Sequence, residues 1–476
     1  MSHRDCKSMT VVLNADCLKL ALNWLLARID WSSVALRRDC SWSPSLLAAA
    51  ALLWAWGDET TLGERFGVAR RLVVHLCSPA VPLAGSYQSF VNLLRRWTSA
   101  LMECLKRALR ERRQHHLARD WSVLDWVMFA VDGSRCELAR TVSNERACSA
   151  TRPGKQGNTR TGRTSKRKIK PGSRHFQKAD SPQLWVTAMW PVGSGLLWDW
   201  RVGPGDSSDR AHLLEMLPDL PLNALVTGDA GFVGDQYLRA ILDGGRQILI
   251  RVGANVRLLK KLGSVREHHN TQEHHNTVDL WPDRESARHQ PPLVLRLVTS
   301  HDGRQPLSLV TSLPAARLTD PQVLTLYSRR WGIELFYRSL KQTFDCRKLR
   351  SHRAEHALLE LHWSLLGLWT MGLYALAQFH DAHLPPRRLS VAQVLRAFRQ
   401  TMRDYLHPVQ RGRRLRDRLR TALIDTYQRK SKTSRNYPRK RKKEPAIGVP
   451  QIRNATKAEI ELARQLRSDI KKGLTA

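Results

Sequence analysis

The sequence predicts an α/β fold built on a mixed sheet, with a helical N-terminal block before it and a basic helical region after it. Three observations predict this class. A nearly unbroken apolar run at 126–133 (WVMFAVDG) has the composition of a strand buried on both faces. Strand-like runs follow at 184–190, 196–202, 224–231 and 246–252, and helical segments at 209–217 and 235–243 separate the later ones. The resulting order is three strands, helix, strand, helix, strand, completed by a helix at about 321–344, which is a layered α/β arrangement.

Composition sets the partner. The 476 residues carry 78 Lys and Arg against 42 Asp and Glu, a formal charge of +36, while 42% of positions are hydrophobic. That apolar share is ordinary for globular chains, so disorder throughout is excluded, and the length suggests about three domains. The positive excess repels itself unless a polyanion faces it, which makes nucleic acid the first partner to consider. Asn14, Asp16 and Lys19 interrupt any apolar leader, so a cytoplasmic, nucleoid-associated protein is expected. The eight cysteines include no Cys-x-x-Cys pair, which fits neither a zinc ribbon nor a disulfide scaffold. A membrane partner is not expected either, because the basic runs are poor in apolar residues.

Taken in order, residues 1–120 read as a helical N-terminal DNA-binding region. Within it, residues 61–76 (TLGERFGVARRLVVHL) read either as two short helices turning at Gly67, a helix-turn-helix, or as an ordinary helical hairpin. Residues 121–252 form the first part of the α/β core. Between Glu145 and Asp180 lie eleven Lys or Arg and no acid, and no regular element is assigned there. Residues 253–316 read as a β-rich insertion, with strand candidates at 292–300 and 306–313. Inside it EHHNT occurs twice, at 267–271 and 273–277. These histidines can bind metal, and a slipped duplication in a solvated loop explains them equally simply. Residues 317–400 return to the core and include the apolar run 361–379, read as a buried helix because Glu360, His362 and several polar residues mark it. Residues 401–476 form the basic C-terminal region, with Lys and Arg runs at 410–420 and 428–443 suited to phosphate contact. Thr456 and Glu459 have capping-box spacing for a closing helix.

The chemistry is expected from acids. Asp132 and Asp229 each end a hydrophobic strand, in VDGS and TGDAGF. A carboxylate at the end of a buried strand is costly unless it is compensated, and a divalent cation compensates it well. One such Asp would read as a cap or turn residue, whereas two favour a shared site. On the helix at 321–344, Tyr327, Arg330, Glu334 and Lys341 have offsets of 0, 3, 7 and 14, which place them within about a 60° arc. Leu326, Ile333, Leu340 and Phe344 form the adjacent apolar stripe, so the polar quartet lies at the rim of the buried face.

These residues resemble a known family. The Tyr-x2-Arg-x3-Glu-x6-Lys spacing in YSRRWGIELFYRSLK is similar to the signature of the DDE transposases of bacterial insertion sequences, in the YREK group named for those four letters. VDGS and TGDAGF resemble the family's first and second Asp motifs, with 97 residues from Asp132 to Asp229 and 105 from there to Glu334. The similarity runs from about 126 to 344 and implies an RNase H-like core with a β-rich insertion. It implies that Asp132, Asp229 and Glu334 are catalytic and hold two Mg2+ ions, with Mn2+ as a substitute. Tyr327, Arg330 and Lys341 would contact phosphates of the transposon end. Arg251 falls where the family has a basic DNA contact, and it also reads as a strand-end surface arginine. Trp281, the single tryptophan of the insertion, would stack a flipped base. The implied partners are double-stranded DNA, as terminal inverted repeats and target, and a second copy of the chain in a DNA-bound homodimer. Two other readings share the acids: an RNase H-like nuclease that cuts without joining, and a DNA-binding protein that has lost catalysis.

Overall fold

A computed structural model describes residues 17–37, 39–79, 83, 85–117, 122, 125–149, 181–262, 277–301, 306–407, 413–424 and 447–472. The paired EHHNT motifs, apart from Thr277, lie outside them, as do residues 150–180 of the acid-free segment and the run 428–443.

Strand β1 (Val127–Glu137) is apolar on both faces because each face has its own core. Val127, Phe129 and Val131 enter one cluster, and Met128 and Ala130 enter another. β2 (Gln183–Pro191) pairs antiparallel with β1, and β3 (Asp199–Pro204) pairs antiparallel with β2. On the other side β4 (Ala224–Gly228) and β5 (Gln247–Val252) continue parallel to β1. The helices Asp209–Met216 and Asp235–Asp243 cover the first face through Leu213, Met216, Leu238 and Ile241. The signature segment and the N-terminal helices cover the second.

The segment expected as an insertion does not break this sheet. β9 (Pro306–Thr311) pairs antiparallel with β5, and β8 (Leu293–His301), β7 (Thr277–Leu280) and β6 (Arg257–Lys260) extend the ladder outward. β10 (Gln451–Asn454), from the C-terminal region, closes that edge by pairing parallel with β6. The full order is β10-β6-β7-β8-β9-β5-β4-β1-β2-β3.

In the N-terminal block, Ser43 caps Pro44–Trp56, and Thr61 with Glu64 forms a capping box on Leu62–Cys77. Leu62–Cys77 is one unbroken helix. The expected turn at Gly67 is therefore corrected: the capping box starts a helix that Phe66, Ala69, Leu72 and Val73 anchor on one buried side straight through the glycine. The apolar run 361–379 lies within the helix Ala354–Asp381, buried along nearly its whole length. Trp56 donates its indole N–H to the Gly367 carbonyl at 2.9 Å, and Trp363 donates to Thr98 Oγ1 at 3.0 Å. A Cβ at Gly367 would press on Ala55 and Trp56, so this glycine permits the close approach of the N-terminal helix. Among the described residues no helix is long and apolar enough to cross a membrane.

A buried charge cluster ties the long helix Tyr87–His116 to the sheet. Lys106 Nζ lies 2.7 Å from Asp199 at the start of β3 and 4.4 Å from the centre of the Trp200 ring, while Arg201 and Arg110 reach the same carboxylate at 3.0 and 3.3 Å. Burial alone would raise the Asp199 pKa, and the three cations outweigh it and hold the pKa below the usual value.

Candidate active site

β1 and β4 run parallel side by side, with Ala130 opposite Thr227. Asp132 lies two residues beyond that pair on β1, and Asp229 directly follows β4. The register thus brings the two acids side by side, but Asp132 does not end its strand as expected: pairing with β2 carries β1 on to Glu137, and Asp132 lies where β4 stops and β1 continues. The amide of Gly133 donates to Asp132 Oδ1 at 2.9 Å, and the amide of Gly231 donates to Asp229 Oδ1 at 2.8 Å. Burial first, and then the negative charge of Asp229, push the Asp132 carboxyl up to about 6, against the opposing pull of Gly133 and Arg330. Asp209, on the other face of the sheet, raises it further.

The expected helix at 321–344 differs in form. It is an α-helix over Asp320–Ser328, a 3₁₀ turn over Arg329–Trp331, an α-helix over Gly332–Arg338 and a π turn over Ser339–Thr343. A Cβ on Gly332 would overlap the Trp190 ring of β2, so only glycine fits where the second helical piece begins. The apolar stripe is as expected: Leu326, Ile333, Leu340 and Phe344 are all buried.

Of the polar quartet, Tyr327 is buried and directs its hydroxyl at the Gly228 carbonyl, 3.4 Å away, directly before Asp229. Burial raises the Tyr327 pKa, and Arg330 and Arg251 oppose the shift. Arg330 is also buried, with its guanidinium 5.6 Å from the centre of the Tyr327 ring and 3.7 Å from the Glu334 carboxylate. Among the described residues its Nε is buried with no hydrogen-bond partner, as is that of Arg251 on β5. Lys341 Nζ donates to Ser134 Oγ at 2.7 Å, two residues beyond Asp132. Asp132, Asp229, Tyr327, Arg330 and Arg251 therefore share one electrostatic neighbourhood. Glu334 joins it through Arg330, its side chain 43% exposed. Among the described residues no three His, Cys, Asp or Glu side chains already stand close enough together to hold a metal ion.

Trp281 stands elsewhere. It is buried, its indole N–H donates to the Gln290 carbonyl at 2.8 Å, and it packs with Leu259, Leu262 and Ala463. The Arg288 guanidinium lies 4.6 Å from the ring centre. In this structure the ring is packed rather than presented as an open stacking surface, because the helix Lys457–Lys471 supplies Ala463 to the same small core. That helix is held by the expected capping box and by Arg453 and Arg288, which grip Glu459 at 2.6 and 3.2 Å. Its hydrogen bonds to Arg453 are the chief reason that the Glu459 carboxyl is held down to about 2.

The sequence reading missed Tyr337. Its hydroxyl reaches the backbone of Asp132 and of β2, yet its place beside the apolar stripe gave only the signal of a core residue.

A family model described as the transposase DDE domain matches residues 130–369, more than half of the chain and the whole of this site. The chain belongs to that family. The DDE transposase chain is 26% identical over 222 residues to Transposase InsG for insertion sequence element IS4 of Escherichia coli (strain K12), covering 44% of this chain and 49% of InsG. It thus spans about half the length of the curated relative it matches. Among solved structures, the piggyBac transposase synaptic complex with hairpin DNA matches with 12% identity and a TM-score of 0.38, covering 86% of this chain and 85% of that one.

Proposed function

We propose that this DDE transposase cleaves and joins the terminal inverted repeats of its own insertion sequence by metal-assisted phosphoryl transfer. The observation that carries the proposal is the placement of Asp132, mid-way along β1, beside Asp229, directly after the adjacent parallel strand β4, with Arg330 linking them to Glu334. The strand order β3-β2-β1-β4-β5, antiparallel then parallel, supports the RNase H-like reading of the core.

The residues fit a hard divalent ion. Burial, and then the charge of Asp229, push the Asp132 carboxyl up to about 6, so a bound cation would relieve both, and carboxylate oxygens are the donors that Mg2+ prefers. Asp132, Asp229 and Glu334 would hold it, with Mn2+ as a substitute. When bound, two such ions supply positive charge to the attacking and leaving oxygens of an in-line displacement at phosphorus. The chain's own residues do the rest. Arg330 and Arg251, whose buried Nε–H groups lack partners among the described residues, would supply donors for a DNA phosphate, with Tyr327 beside Arg330 and Lys341 at Ser134 as further contacts. The helical block 1–120 and the basic C-terminal region would hold the duplex through phosphate contacts, in a DNA-bound homodimer.

The test is to incubate the purified protein with duplexes carrying the inverted repeats that bracket its reading frame, in Mg2+, and to map the products. Release of 3′-hydroxyl ends and their joining to target is expected. Asp132→Ala should abolish both while binding of end DNA persists. Nicking by Asp132→Ala at the wild-type rate would remove the assignment.

A further inference from the structure

We infer that Tyr337 is a positioning residue that fixes Asp132 relative to the helix bearing Glu334; the inference rests on the transposase reading above. Tyr337 follows Glu334 by three residues on the helix Gly332–Arg338 and is buried. Its phenolic oxygen meets three backbone groups on two strands. It accepts from the Ala188 amide at 3.1 Å and directs its single proton toward the carbonyls of Asp132 at 2.7 Å and Val186 at 3.0 Å. Asp132 and Ala188 are register partners across β1 and β2. In an antiparallel pair, facing amides and carbonyls serve each other. Here a hydroxyl from a third element joins that pairing at the residue that carries the first acid.

The arrangement has a counterpart at the second acid. Tyr327 directs its hydroxyl at the carbonyl of Gly228, the residue before Asp229. Two tyrosines ten residues apart on the signature segment thus bind the backbone at Asp132 and beside Asp229, and Glu334 lies between them in sequence. A phenylalanine at 337 would fill the same volume. What the hydroxyl adds is direction, because it can accept from one strand and donate to the other at once. Outer groups that orient ligands in this way typically govern metal affinity by 10- to 100-fold.

The test uses the full chain with Tyr337→Phe. Thr370→Val serves as a control that removes a buried hydroxyl, bonded to the Leu366 carbonyl at 2.8 Å, from the central helix. Mn2+ binding is read by electron paramagnetic resonance with end DNA present, alongside DNA affinity, thermal midpoint and end cleavage. Tyr337→Phe is expected to weaken Mn2+ binding about 10-fold and to raise the Mg2+ needed for cleavage to match, with DNA affinity unchanged. Thr370→Val should lower the midpoint and leave Mn2+ binding at the wild-type value. Replacing Tyr337 with 4-aminophenylalanine, which restores a donor at the same reach, should recover most of the affinity, and it serves as the test if Tyr337→Phe does not fold. Wild-type Mn2+ binding by Tyr337→Phe, or no recovery with the amine, overturns the inference. If Mn2+ binding depends on Tyr337 but wild-type protein cuts no ends, the transposase reading fails while the positioning role stands.

Discussion

Asp132→Asn is expected to make the protein more stable, and only above mildly acid pH. The wild-type carboxyl is pushed from 3.8 to about 6 by burial and by Asp229. Its folded-state pKa therefore lies above its unfolded value. Stability is fully present below about 4 and is lost as pH rises through 6, because the folded protein must then carry a desolvated charge beside another. A displacement of that size corresponds to about 3 kcal/mol, and because part of the side chain reaches solvent, about 2 kcal/mol is the better expectation at pH 7. Asparagine keeps the oxygen that accepts from Gly133 and removes the charge. Urea melts at pH 4, 5, 6, 7 and 8 check this. The mutant should gain about 2 kcal/mol at pH 7 and nothing at pH 4. A gain independent of pH, or a loss at pH 7, would refute the electrostatic account of the acid pair. Activity should vanish as stability rises, since a destabilised site is what function requires here.

Three further outcomes follow from the packing. Gly332→Ala places a methyl group in the Trp190 ring and should cost about 1 to 3 kcal/mol in chemical denaturation, with end cleavage lost disproportionately because the Glu334 helix is displaced. Lys106→Met leaves Asp199 buried with two arginines in place of three cations and should cost about 3 kcal/mol, read the same way. Arg453→Ala removes the bidentate grip on Glu459, so limited proteolysis should cut within 447–472 far faster than in wild type, and fluorescence of Trp281 should report the opened core.

How much of this was legible in the sequence depended on whether the cause was local. The two acids could be placed because each closes an apolar run, and a parallel β1–β4 pair brings the ends of those runs together, although β1 itself continues past Asp132 to Glu137. The signature segment was legible as one buried stripe with one polar rim. Its breaks into 3₁₀ and π turns were not, and the close approach of Gly332 to Trp190 depends on a residue more than 130 positions away in sequence. Tyr337 was hidden for the same reason: an aromatic residue beside an apolar stripe looks like core until its hydroxyl partners are known. The burial of Trp281 was not legible, because residues that pack against it arrive from the C-terminal region. The four-residue strands β6, β7 and β10 are too short to show alternation and exist as strands through their pairing.

Asp132, Asp229 and Glu334 are proposed to hold the divalent ions that act on DNA. The most direct test of that assignment is end cleavage by Asp229→Cys in Mg2+ and in Mn2+. Thiolate is a poor ligand for Mg2+ and a better one for a softer ion. No product is expected in Mg2+, and partial recovery in Mn2+. Cleavage by Asp229→Cys at the wild-type rate in Mg2+ would contradict the assignment.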